Sequence, residues 1–145
     1  MKAKYLIVSV LFLFGFVDEE PTKLGWKFLA QVKFTRKLNV DEGMYFLYPT
    51  FGKNVLLQNG RLISIKGYMI PIDVATGLYV ISANPMASCF FCGASGPESL
   101  IELNFKKKGQ HFRTDEVRTV KGIFKTNEAD IDHLNYIIEQ AEIVQ

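Results

Sequence analysis

The stretch Arg61-Leu62-Ile63-Ser64-Ile65-Lys66-Gly67-Tyr68-Met69-Ile70-Pro71-Ile72 decides the fold. Ile63, Ile65, Gly67 and Met69 share one parity, while Ser64, Lys66 and Tyr68 take the other. A period of two sends successive side chains to opposite faces, so the pattern predicts a strand with one buried face. Gly67 inside it predicts a bulge or a sharp bend, since a residue without Cβ tolerates close backbone approach. Pro71 cannot donate to a ladder and belongs at a strand end or edge.

The same reading extends outward on both sides. Downstream, residues 73–77 turn the chain and residues 78–83 form a short apolar strand. Ile101, Leu103 and Phe105 alternate with Glu102, Asn104 and Lys106, and a strand over 117–125 is interrupted by Gly122. Residues 136–144 supply a closing strand. Upstream, Trp26, Phe28, Ala30, Val32 and Phe34 alternate with Lys27, Gln31, Lys33 and Thr35, which predicts a strand over 26–35. Residues 44–48 predict another, followed by a loop that ends in Asn59-Gly60. Asn127, with acids following it, predicts one short helical turn running to Leu134. There is no long amphipathic helix, no internal repeat and no low-complexity tract. The expected fold is therefore all-β: a small OB-like barrel of about five to six strands with one short helical turn. Internal glycines suit tight closure, because strongly curved strands need bulges or residues without Cβ.

The chain has 145 residues, which predicts one domain able to bury roughly two-thirds of its unfolded surface without covalent help. A net charge of +2 gives no general attraction to nucleic acid. Lys106, Lys107 and Lys108 form a local basic run, read as a solvated turn. Residues 1–20 differ from the rest. Lys2 and Lys4 precede an apolar run over 5–17, which Asp18, Glu19, Glu20 and Pro21 end. A positive head and a run shorter than the roughly 20 residues of a membrane span predict a signal peptide. An uncleaved N-terminal anchor is the alternative, because no small-x-small triplet precedes Asp18. Residues 21–145 would then form the folded domain in a periplasmic or secreted, oxidising setting.

Ser88-Cys89-Phe90-Phe91-Cys92-Gly93 holds both cysteines of the chain. Two thiols at this spacing can face one point, as in half of a tetrahedral zinc site, which needs four ligands. His111, His133 and carboxylates such as Glu98 are the candidates to join them, with Glu98 and His111 preferred; neither histidine stands in a ligand spacing, and each reads first as a surface residue. A redox pair would want a helix N-terminus to lower the thiolate pKa, and the pattern offers none. A small structural disulfide is the third possibility. No catalytic set is legible: there is no nucleophile motif, no phosphate loop before a helix, and no paired carboxylates. Asp73 and Glu98 read as turn or surface groups. Tyr68, Tyr79 and Phe105 could stack on a ligand, as aromatics on such barrels do, but in a small barrel they read first as core.

The segments Gly67-Tyr68-Met69-Ile70-Pro71-Ile72-Asp73 and Tyr79-Val80-Ile81-Ser82-Ala83-Asn84-Pro85, the cysteine loop, and Gly96-Pro97-Glu98-Ser99 resemble a family of small exported bacterial envelope proteins of unknown function. The resemblance covers residues 61–105 best. It implies an OB-like barrel in the cell envelope, similar to proteins encoded beside metal-uptake and ABC-type export components. In one branch of that family the loop carries Cys-x-His, so Cys89 would match its cysteine and Cys92 would fall near its histidine. Cysteine and histidine exchange as ligands of zinc or copper, and do not exchange in a disulfide.

These readings converge on an exported, non-enzymatic binding domain. It would bind zinc or another thiophilic metal through Cys89 and Cys92, with Glu98, His111 or a partner's side chain completing the shell. An envelope transporter or another envelope protein is the expected partner, with no nucleic acid, and with the membrane met only through an uncleaved N-terminal segment. The alternatives are a docking module in which Cys89 and Cys92 form a structural disulfide, and a thiol–disulfide exchange protein.

Overall fold

A computed structural model describes residues 20–144. The expected signal or anchor segment, apart from Glu20, lies outside the described residues.

The stretch that opened the reading forms β4 (Leu62–Asp73), the longest strand of the molecule. It pairs with β5 (Leu78–Ser82) on one side and with β7 (Glu116–Thr126) on the other, both antiparallel. β5 pairs with β6 (Leu100–Phe105). β6 lies parallel to β8 (Tyr136–Val144), which pairs back onto β7. The order β4-β5-β6-β8-β7 closes on itself through β4–β7, giving a five-stranded barrel. In strand order this is 1-2-3-5-4-1 with the third and fifth strands parallel, the OB arrangement. One extra strand, β1 (Thr22–Lys23), adds parallel to β4.

Closure depends on the glycines. A Cβ on Gly67 would meet the Ser82 carbonyl oxygen at 2.5 Å and Ile81 Cγ1 at 2.8 Å. One on Gly122 would meet Ile138 Cγ2 at 2.5 Å and the Glu139 carbonyl oxygen at 2.6 Å. Both strands therefore bend where only hydrogen fits.

The interior is filled by the predicted parity of β4 (Ile63, Ile65 and Met69) and β6 (Ile101 and Leu103), joined by Tyr79 and Ile81 of β5. Tyr79 is 1% exposed and Phe105 packs against this cluster, as expected of core aromatics, whereas Tyr68, on the outer parity of β4, is only half-buried and belongs to neither apolar cluster. Tyr136 is buried against Phe51 and Phe124, and its hydroxyl donates to the Leu29 carbonyl at 2.7 Å.

Two local expectations are corrected. Residues 26–35 are not one strand. Trp26–Leu29 form a short helix, α1, and β2 (Val32–Asn39) follows. The Trp26 indole N–H donates to the Lys66 carbonyl at 2.9 Å, a tertiary bond that fixes the chain in a turn. Residues 127–134 contain no helical turn. Asn127 Oδ1 accepts from the N–H groups of Ala129 and Asp130, while its amide donates to the carbonyls of Asp130, His133 and Leu134. One side chain thereby organises the loop in place of helical bonds. The remaining elements are β3 (Met44–Phe51), which pairs with β2 as a separate hairpin, and α2 (Lys53–Leu56).

Candidate functional site

Strand alternation also gives the barrel an outer face. On β4, β5 and β6 that face presents Ile70, Val80 and Leu100, which form a second apolar cluster with Cys89. The loop 83–99 folds back over this face. It holds three short 3-10 turns, Met86–Ser88, Phe90–Cys92 and Pro97–Ser99. Gly93, at φ 75°, reverses the chain just after the second cysteine.

The loop is tied at both ends. The Met86 N–H donates to Asp115 Oδ1 at 2.7 Å, joining it to the start of β7. Asn84 Nδ2 donates to Ser95 Oγ, which in turn donates to the Ser88 carbonyl. Phe90 and Leu134 pack on the rim of the small cluster.

Both cysteines are free thiols, and they lie together. Cys89 is 0% exposed and behaves as part of the cluster. Cys92 is an exposed residue whose thiol donates to the Met86 carbonyl at 3.0 Å. Desolvation pushes the Cys92 thiol above its ordinary range, and the neighbouring Cys89 sulfur adds to the rise through its charge and a hydrogen bond. Cys92 is therefore not poised as a thiolate.

The other two expected ligands stand elsewhere. The Glu98 carboxylate folds over Gly96 and lies near Tyr136, whose hydroxyl is raised chiefly by burial and secondarily by that charge. His111 is exposed on the loop between β6 and β7. Among the described residues no group of three or more His, Cys, Asp or Glu is placed to hold a metal. The structure thus brings Cys89 and Cys92 together and leaves Glu98 and His111 apart from them. Asp73 serves its turn: the Thr76 hydroxyl first, then the N–H groups of Thr76 and Ala75, hold its carboxyl below the usual range.

A pair that sequence reasoning did not join is Glu102 with His133. Glu102, on the outer face of β6, is buried, and its Oε1 lies 2.8 Å from His133 Nδ1. Oε2 accepts the Leu134 N–H at 3.2 Å. The carboxylate can only accept, so Nδ1 carries the proton. The hydrogen bond from the imidazole to Glu102 is the main cause that raises His133 above its ordinary value, with the charge of Glu102 next. The only hint in the sequence was a carboxylate on the polar parity of a barrel strand.

Beside the cysteine loop runs a groove of about 310 Å³, formed by Phe90 and Pro97 of the loop, Tyr48 and Pro49 of β3, and Ile131 and Leu134 of the β7–β8 loop. The β2–β3 hairpin beyond it exposes Leu38, Tyr45 and Leu47 on one face. Arg36 stacks over the Tyr45 ring at 4.5 Å on that face.

No protein-family model matches the chain, and no curated protein does. Among solved structures it is similar to a DUF3299 family protein from Pseudomonas aeruginosa PAO1, with a TM-score of 0.53 and 13% identity. The match covers 88% of this chain and 98% of that one. At this identity the likeness is one of fold, and the neighbour's family is itself of unknown function.

Proposed function

We propose that this chain is a non-enzymatic binding domain of the cell envelope whose working surface is the Cys89/Cys92 loop. The pair takes zinc or another thiophilic metal in a shell that a second molecule completes. The observation that carries this reading is that both cysteines stand as free thiols on the loop over the outer face, close enough for the Cys89 sulfur to act on the Cys92 thiol. Two sulfurs make half a tetrahedral site, and an open shell suits transfer rather than permanent structure. Because thiolates are the ligands and the Cys92 thiol is held protonated, the metal must displace protons, so uptake weakens as pH falls. Cys92 meets the metal first; Cys89 follows when the loop lifts from the outer face.

The groove beside the loop supports docking of a partner there, since Phe90 and Pro97 belong to both features. Lys2, Lys4 and the apolar run over 5–17 support export, and with it an envelope partner such as a transporter. A second reading is a docking module alone, with Cys89 and Cys92 oxidised to a structural disulfide. The complete burial of Cys89 and the exposed hairpin face favour it.

Protein loaded with zinc and then dialysed, assayed for metal and for free thiols, separates the two. Bound zinc that disappears in Cys89→Ser supports metal handling. Protein isolated with neither metal nor free thiols contradicts it and leaves the docking module.

A further inference from the structure

We propose that the cleft over the outer face of β6 binds a small oxyanion, a phosphate or carboxylate group, held by His133, Lys107 and Lys108. The cleft measures about 410 Å³ and is bounded by the β4–β5 turn, β6, the loop after β6, and His133.

Two independent observations give it its sign. The first is the floor. Glu102 is 6% exposed, and its oxygens face His133 Nδ1 and the Leu134 N–H. A carboxylate committed in this way orients the imidazole through Nδ1–H and favours its protonated form, from which Nε2 donates to a ligand. The His133 side chain is 48% exposed, so that donor is reachable. The second is the basic run. Lys106 pairs with Glu142 at 3.2 Å, whereas neither Lys107 nor Lys108 makes an ion pair among the described residues, and both line the cleft. Two ammonium groups without an ion pair and an anchored imidazole thus line one cleft with Glu102, whose oxygens already face His133 and the Leu134 N–H; the charge of Lys107 also acts on Glu142. Asp130 and Asp132, on the loop that carries His133, are the other charges acting on the imidazole. Thr76 and Asn104 add neutral polar groups to the wall. The turn on one side and the loop on the other limit the ligand to a small group. None of these residues belongs to the cysteine loop, although His133 also lines the groove beside it.

The test is a titration of the isotope-labelled full chain, followed by NMR, with inorganic phosphate in one arm and acetate in the other. Sodium chloride at matched ionic strength is the reference. We expect saturable shifts at the His133 imidazole and at the amides of residues 76–79 and 107–110 in at least one arm, which identifies the favoured oxyanion. Replacing both lysines, Lys107→Ala with Lys108→Ala, weakens that binding about tenfold, as the loss of charge-assisted hydrogen bonds requires. Lys125→Ala, on an exposed position of β7, leaves it unchanged. Two flat arms, shifts that chloride reproduces, or equal weakening by Lys125→Ala would each overturn the proposal.

Discussion

The thiol of Cys92 donates to the Met86 carbonyl oxygen across 3.0 Å, with the Cys89 sulfur as its neighbour. Ionising Cys92 breaks that bond and places a negative charge beside a second sulfur. The fraction of thiolate at neutral pH is therefore smaller than for an ordinary cysteine. Alkylation of the reduced protein, followed by mass spectrometry across pH, should show Cys92 reacting with a midpoint above its ordinary 9.0. Cys89 should react far more slowly, through opening of the loop or unfolding. Fast labelling of Cys89 in the native state would contradict its place in the outer cluster.

Barrel closure makes a prediction about Gly67. Gly67→Ala forces a methyl group onto the Ser82 carbonyl and Ile81, backbone and packed core that cannot swing away. The expected cost is about 1–3 kcal/mol, the usual range for overpacking. Gly25→Ala is the control, since nothing lies within 4 Å of its Cβ and its φ is −111°. Urea unfolding should separate the two, with Gly25→Ala within about 0.5 kcal/mol of the parent.

The Glu102–His133 pair makes stability depend on pH. The folded-state pKa of His133 lies above its ordinary 6.5, because Glu102 holds the protonated ring. Its contribution is therefore complete below 6.5 and fades as pH rises through the higher folded value. Glu102→Gln removes the charge while keeping an acceptor for the Leu134 N–H. The stability gap between parent and variant should be widest on the acid side of the His133 titration and narrow on the alkaline side. An NMR titration should also show the His133 midpoint falling in the variant; an unchanged midpoint would contradict the pairing.

The barrel was legible in the sequence because local pattern and tertiary demand agree there. Residues 136–144 form the strand that their pattern predicts, and β4 lies one residue from the predicted span. Alternation failed at Trp26–Leu29, where the bond from the Trp26 indole to a residue 40 positions away outweighs two-fold patterning. At Asn127 the cap residue and the acids after it pointed to a helical turn, but the side chain satisfies the backbone of the loop without a helix. The two cysteines were legible as neighbours because they are neighbours in the chain. The burial of Cys89 was not, because it depends on the loop folding onto Ile70, Val80 and Leu100. Glu102 and His133 lie 31 residues apart and meet only through the parallel pairing of β6 with β8, which no local window contains.

The most direct test of the cysteine-loop reading is cobalt(II) binding to the reduced protein, with cobalt as a spectroscopic stand-in for zinc. Thiolate ligation should give a sulfur-to-cobalt charge-transfer band that zinc abolishes, that weakens as pH falls, and that is lost in both Cys89→Ser and Cys92→Ser. No band at any pH, or a band that survives in both serine variants, would contradict the reading.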